Sequence, residues 1–84
     1  MARYRVWELG GWLGEKAAQT IVANFPAQAA RLWAEWFDSV NDVATIVNGH
    51  PRHVMVRDLD VTNKAERYTV AMGRQGVYKA RPSG

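Results

Sequence analysis

Residues 24–40 read Asn-Phe-Pro-Ala-Gln-Ala-Ala-Arg-Leu-Trp-Ala-Glu-Trp-Phe-Asp-Ser-Val, and this stretch decides the fold. Pro26 suits a first helical turn, where its missing N–H costs nothing, and Asn24 ahead of it is a fitting N-cap. From Ala27 to Val40, the residues Ala29, Leu32, Trp33, Trp36, Phe37 and Val40 recur at three- and four-residue spacings. That spacing predicts one apolar stripe along an amphipathic helix, with Gln28, Arg31, Glu35, Asp38 and Ser39 on the opposite side. Two tryptophans and a phenylalanine on one stripe need a large apolar surface to cover them, and a β-sheet is the expected partner.

The flanking sequence supplies that sheet. Residues 3–9, Arg-Tyr-Arg-Val-Trp-Glu-Leu, alternate in polarity like a strand and end at Gly10-Gly11. Residues 14–24 admit two readings. Glu15, Lys16, Ala17 and Ala18 favour a helix, whereas the β-branched run Thr20-Ile21-Val22 just ahead of Pro26 favours a strand over 18–23. The strand is the preferred reading. After the helix come a short strand at Val43–Val47, a tight turn at Asn48-Gly49 and a strand at His53–Leu59. A turn at Asp60–Lys64, a strand at Glu66–Met72, a last short strand at Val77–Ala80 and a polar tail at 81–84 complete the chain. The expected fold is a single α+β domain: an antiparallel sheet of about four to six strands, order β-β-α-β-β-β, with one helix packed on one face.

Composition narrows the function classes. The chain has 84 residues, 11 Lys+Arg against 8 Asp+Glu (net +3), four tryptophans and no cysteine. Without cysteine there is neither a disulfide framework nor a Cys-ligated zinc site. No apolar run approaches the roughly 18 residues of a membrane span, and Met-Ala-Arg-Tyr-Arg-Val-Trp-Glu lacks a secretory apolar core, so a cytoplasmic protein is expected. His50 and His53 flank Pro51 at a turn, which makes solvated histidines a better reading than metal ligands. Asp58-Leu59-Asp60 has the look of a magnesium-binding acidic pair but sits where Asp commonly bonds its own turn. Ser39 and Ser83 lack a patterned histidine, and Gly10, Gly11 and Gly14 match no phosphate-loop spacing. The expectation is a protein without enzymatic activity, metal or cofactor.

Strand alternation sorts the sheet into two faces. Tyr4, Val6, Val54, Val56, Tyr68, Val70, Met72, Tyr78 and Ala80 suit the face under the helix. Their neighbours are Arg3, Arg5, Trp7, Met55, Arg57, Arg67, Thr69, Ala71, Lys79 and Arg81, of which six are basic and none acidic. Glu35, Asp38 and Asp42 gather instead around the helix exit and make a third, acidic surface. Long basic side chains are ordinary on a wet sheet face, and they also guard strand edges. Read functionally, Arg3, Arg5, Arg57, Arg67, Lys79 and Arg81 around Trp7 form a contact face for an acidic partner.

The segment Ala23-Asn24-Phe25-Pro26-Ala27-Gln28-Ala29-Ala30, with Val56-Arg57-Asp58, Tyr68-Thr69-Val70 and Val77-Tyr78-Lys79-Ala80, resembles small proteins of bacteriophages and mobile elements, including anti-CRISPR inhibitors. The likeness is one of style (strand, Ala-rich helix, hairpin) rather than of a diagnostic motif. It implies a non-catalytic inhibitor that occupies a surface of a host complex in the bacterial cytoplasm, most plainly a CRISPR–Cas effector. Many acidic members of that group mimic DNA, and this basic chain departs from them. A stand-alone nucleic-acid-binding module using the same sheet face is the alternative expectation. A monomer, or a homodimer through free strand edges, suits either reading.

Overall fold

The computed structural model describes residues 1–9, 14–40, 46, 50–73 and 78–82. Five strands, β1 (Ala2–Glu8), β2 (Gln19–Ala23), β3 (Arg52–Asp58), β4 (Ala65–Met72) and β5 (Tyr78–Pro82), form one sheet with a single helix, α1 (Pro26–Val40). The chain order is β-β-α-β-β-β, with three strands after the helix among the described residues where four segments were expected, and the spatial order is β2-β1-β3-β4-β5. Every neighbouring pair is antiparallel. β2 and β3 therefore flank β1 and run parallel to each other. Parallel strands cannot be joined by a tight turn, so the chain crosses between them through α1. That crossover lays α1 on one face of the sheet, where it touches all five strands and leans most on β5 and β2.

The two readings of residues 14–24 divide between two segments: Gly14–Ala17 is one turn of 3₁₀ helix, and Gln19–Ala23 is the strand. Arg81 and Pro82, expected in a frayed tail, belong to β5 and pair with Thr69 and Tyr68. Of the strand expected at Val43–Val47, only Ile46 lies among the described residues. It is a turn residue, fully buried in the core. The Asn48-Gly49 turn, Gly10-Gly11, Trp12, Asp42 and Val77 lie outside the described residues.

The core joins Tyr4, Val6, Val54, Val56, Tyr68 and Val70 of the sheet to Ala29, Ala30, Trp33 and Ala34 of the helix. The sheet face is the expected one. The helix is rotated from expectation by roughly 80° at 100° per residue: its inward positions are Ala29, Ala30, Trp33, Ala34, Phe37 and Asp38. Trp36 and Val40, expected inside, are 38% and 57% exposed. Ala30 and Ala34 explain the rotation, since small side chains let the helix backbone approach the strands while Trp33 fills the space beside them. Trp33 stacks on Phe37 with ring centroids 4.8 Å apart, and Trp36 meets Trp33 from the solvent side at 6.4 Å. Asn24 is not the N-cap: the first helical bond runs from the Ala29 N–H to the Phe25 carbonyl. The Asn24 N–H instead donates to Oε1 of Gln28 at 2.7 Å.

Asp38, expected on the wet side, is 9% exposed. Its carboxylate is held on both sides: the Tyr78 hydroxyl donates to Oδ2 at 2.8 Å and the Ile46 N–H donates to Oδ1 at 3.2 Å. One carboxylate thus ties the end of α1 to β5 and to the segment that follows the helix. Burial, then the bond to Asp38, pushes the Tyr78 hydroxyl up to about 12. Tyr78→Phe is expected to cost about 1–3 kcal/mol in chemical denaturation, and Asp38→Ala more, because it strands two donors. The raised folded-state value means that the Tyr78 contribution is intact below the ordinary tyrosine range near 10. It is lost as pH rises toward about 12, so stability falls through that window. Tyr78→Phe should flatten this fall and remove the latest phenolate step from the ultraviolet titration.

Candidate functional site: the open sheet face

Register places the site. Directly paired residues share a face, so Arg5 with Arg57, Trp7 with Met55, Met55 with Arg67, His53 with Thr69, Thr69 with Arg81, and Ala71 with Lys79 all stand on the side away from α1. Arg3, paired with Val22, joins them. All seven residues expected at the contact face, Arg3, Arg5, Trp7, Arg57, Arg67, Lys79 and Arg81, therefore occur on one surface.

The fold has already divided these cations into two groups. Arg3 is tied to Asp60: its Nη2 and Nε donate to Oδ1 at 2.8 and 3.2 Å, and its backbone N–H donates to Oδ2 at 2.6 Å. Hydrogen bonding from Arg3 holds the Asp60 carboxyl below the usual range. Glu15, carried by the 3₁₀ turn, stands between Arg5 and Arg57, with Oε2 3.6 Å from Nη1 of Arg5 and Oε1 3.5 Å from Nη2 of Arg57. Arg57 also donates from Nη1 to the Asn63 carbonyl at 3.2 Å and lies 5.9 Å from the centroid of the Trp7 ring. Asn63 has φ of 53°, a left-handed geometry that Asn tolerates well, and its carbonyl is thereby presented to Arg57.

Arg67, Lys79 and Arg81 form the second group. Among the described residues, none of the three has a carboxylate partner within ion-pair distance. Beside them lies a groove of about 380 Å³ lined by Pro51, Thr69, Ala71, Met72, Gly73, Lys79 and Arg81. Gly73 makes room for the Lys79 stem: a Cβ there would sit 2.7 Å from its Cε.

The other sites weighed in the sequence resolve into local structure. Oδ1 of Asp58 accepts the N–H groups of Asp60 and Val61, both at 2.9 Å, which closes the turn after β3. With Asp60 on Arg3, the acidic pair is spent within the fold. Nδ1 of His53 is 3.0 Å from the Thr69 hydroxyl, at the far end of β3 from Asp58. The two are five residue steps apart along the strand, or about 17 Å at the usual rise, too far to share an ion. The acidic surface expected from Glu35, Asp38 and Asp42 loses Asp38 to the interior. Alternation found the arginines but missed Glu15 and Asp60, the acids that answer them, because both arrive from connections rather than strands. Among the described residues, no helix is long and apolar enough to cross a membrane. No protein-family profile, curated protein or solved structure matches the chain.

The Asp60 carboxyl is expected to titrate below an ordinary aspartate by carbon-13 NMR, and to rise only part of the way back in Arg3→Gln, because the backbone N–H of residue 3 still donates to Oδ2. Whatever the pairing adds to stability is present above the ordinary aspartate range and fades as pH falls through the lowered value. Both groups are exposed, so the effect on the unfolding midpoint should be slight.

Proposed function

We propose that this chain is a non-catalytic binding protein that covers an acidic surface of a larger macromolecular complex with its open sheet face. In full, the reading is a phage-type inhibitor acting in the bacterial cytoplasm, and a CRISPR–Cas effector complex is the first partner to test. The observation that carries the binding role is the cluster Arg67, Lys79 and Arg81, three cations on neighbouring strands with no carboxylate partner among the described residues. Charges left open on an ordered sheet favour an anionic partner, and guanidinium groups pair with carboxylates or phosphates directionally. Trp7 and Met55 supply the apolar part of the contact.

Protein is preferred over nucleic acid as the partner. Single-stranded binding relies on aromatic faces open to bases, and here Trp7 is half-buried with Arg57 laid over its ring. The double reversal Arg67→Glu with Arg81→Glu is expected to weaken co-purification with the effector complex by at least about 100-fold while leaving the circular dichroism spectrum unchanged. Undiminished binding by this folded variant would discard the sheet face as the contact. A gel-shift series across salt concentration addresses the alternative, since a nucleic-acid module loses affinity steeply as salt rises.

A further inference from the structure

Arg5 and Arg57 are directly opposite each other on β1 and β3, an arrangement that like charges disfavour unless an anion stands between them. The anion present is Glu15, and it fills the position poorly. It offers one oxygen to each arginine, at 3.6 and 3.5 Å, beyond the 2.7–2.9 Å typical of charge-assisted hydrogen bonds. Elsewhere in the same molecule the Arg3–Asp60 and Arg52–Glu8 pairs close to 2.8 and 2.7 Å. The Glu15 side chain is 42% exposed, and the 3₁₀ turn that carries it has no buried residue. Arg57, by contrast, has two holds besides Glu15, the Asn63 carbonyl and the Trp7 ring. The pair is thus a preorganised double-arginine cradle with a loosely seated internal carboxylate.

We propose that Arg5, Arg57 and Trp7 form a carboxylate-binding site on the open face, and that Glu15 is its resident occupant, displaced when an acidic partner presents a carboxylate of its own. Glu15 shows which chemistry the cradle accepts, and its exposed turn can lift without disturbing the core. The site rests on reading this face as a contact surface, but it uses different cations from Arg67, Lys79 and Arg81.

The test follows the arginine Nε–Hε resonances by NMR in the full chain and in Glu15→Gln, titrated with tetraglutamate and, separately, with inorganic phosphate. Tetraglutamate is expected to shift Arg5 and Arg57 in both proteins, with a midpoint about three- to tenfold lower in Glu15→Gln, as expected for relief of two exposed ion pairs. Glu15→Asp, which keeps the charge but shortens its reach, should move the midpoint the same way by less. It serves as the check if Glu15→Gln perturbs the turn. Arg57→Gln should abolish the Arg5 response while that of Arg67 and Arg81 persists. Equal midpoints with and without Glu15, or movement of Arg67 and Arg81 alone, would overturn the site and leave the contact-surface reading standing. A tighter response to phosphate than to tetraglutamate would overturn the carboxylate assignment. Silence of all four arginines toward both anions would remove both readings.

Discussion

One helix covers one face. The fifteen residues of α1 make a rod about 22 Å long at the usual rise, and five strands set side by side span about 19 Å. The helix is therefore long enough to cross the whole sheet once, and the β2-to-β3 crossover puts it there. A single rod cannot attend to the other side. Apolar alternation on the strands is consequently pinned to the helix side, since a slip of one residue would turn Val6, Val54, Val56 and Val70 out to solvent. The opposite set, rich in arginine, is committed to water by the same constraint. Core and candidate site are two consequences of one geometric fact.

The wet face then poses an electrostatic problem that the strands do not solve. Its strand positions carry arginines and lysine with no acid among them, and register sets Arg5 against Arg57. The answering carboxylates come from outside the sheet: Asp60 from the turn after β3 and Glu15 from the 3₁₀ turn before β2. Both reach the β1 and β3 side. On β4 and β5 no connection among the described residues plays this part, so the face is compensated at one end and open at the other. Arg67, Lys79 and Arg81 in this way stand together along two neighbouring strands of the open face.

Much of this was legible in the sequence, for identifiable reasons. Alternation over 3–9, 53–59 and 66–72 carries strong period-two signals because one face is fully buried, and the buried and open sets follow from it. The helix was legible as a segment but not in its orientation. Trp36 and Val40 look like core by hydropathy, yet Ala30 and Ala34 face the sheet because close approach favours small side chains over large ones. Asp38 was unreadable as a buried residue, since its partners Tyr78 and the Ile46 amide are 40 and 8 residues away in the chain. Glu15 was unreadable for the same kind of reason: its role depends on where a short turn lands, which alternation does not encode.

The asymmetry of the open face has a consequence for how an acidic surface would meet it under the proposed reading. Fields from exposed charges reach about 8 Å at physiological ionic strength, so distant attraction reports local net charge rather than individual pairs. On the β1 and β3 side Asp60 cancels Arg3, and Glu15 halves the joint charge of Arg5 and Arg57. On β4 and β5 Arg67, Lys79 and Arg81 have no ion-pair partner among the described residues, and Glu66 is the one acid those two strands carry. First attraction therefore belongs to the β4–β5 edge, where charge steers encounter and sets its rate. The compensated end contributes after contact, when exclusion of water strengthens each arginine–carboxylate pair and a better-placed anion can compete with Glu15 at its 3.5–3.6 Å separation. Under that reading steering and selectivity fall to different strands of one sheet, and salt should weaken the first far more than the second.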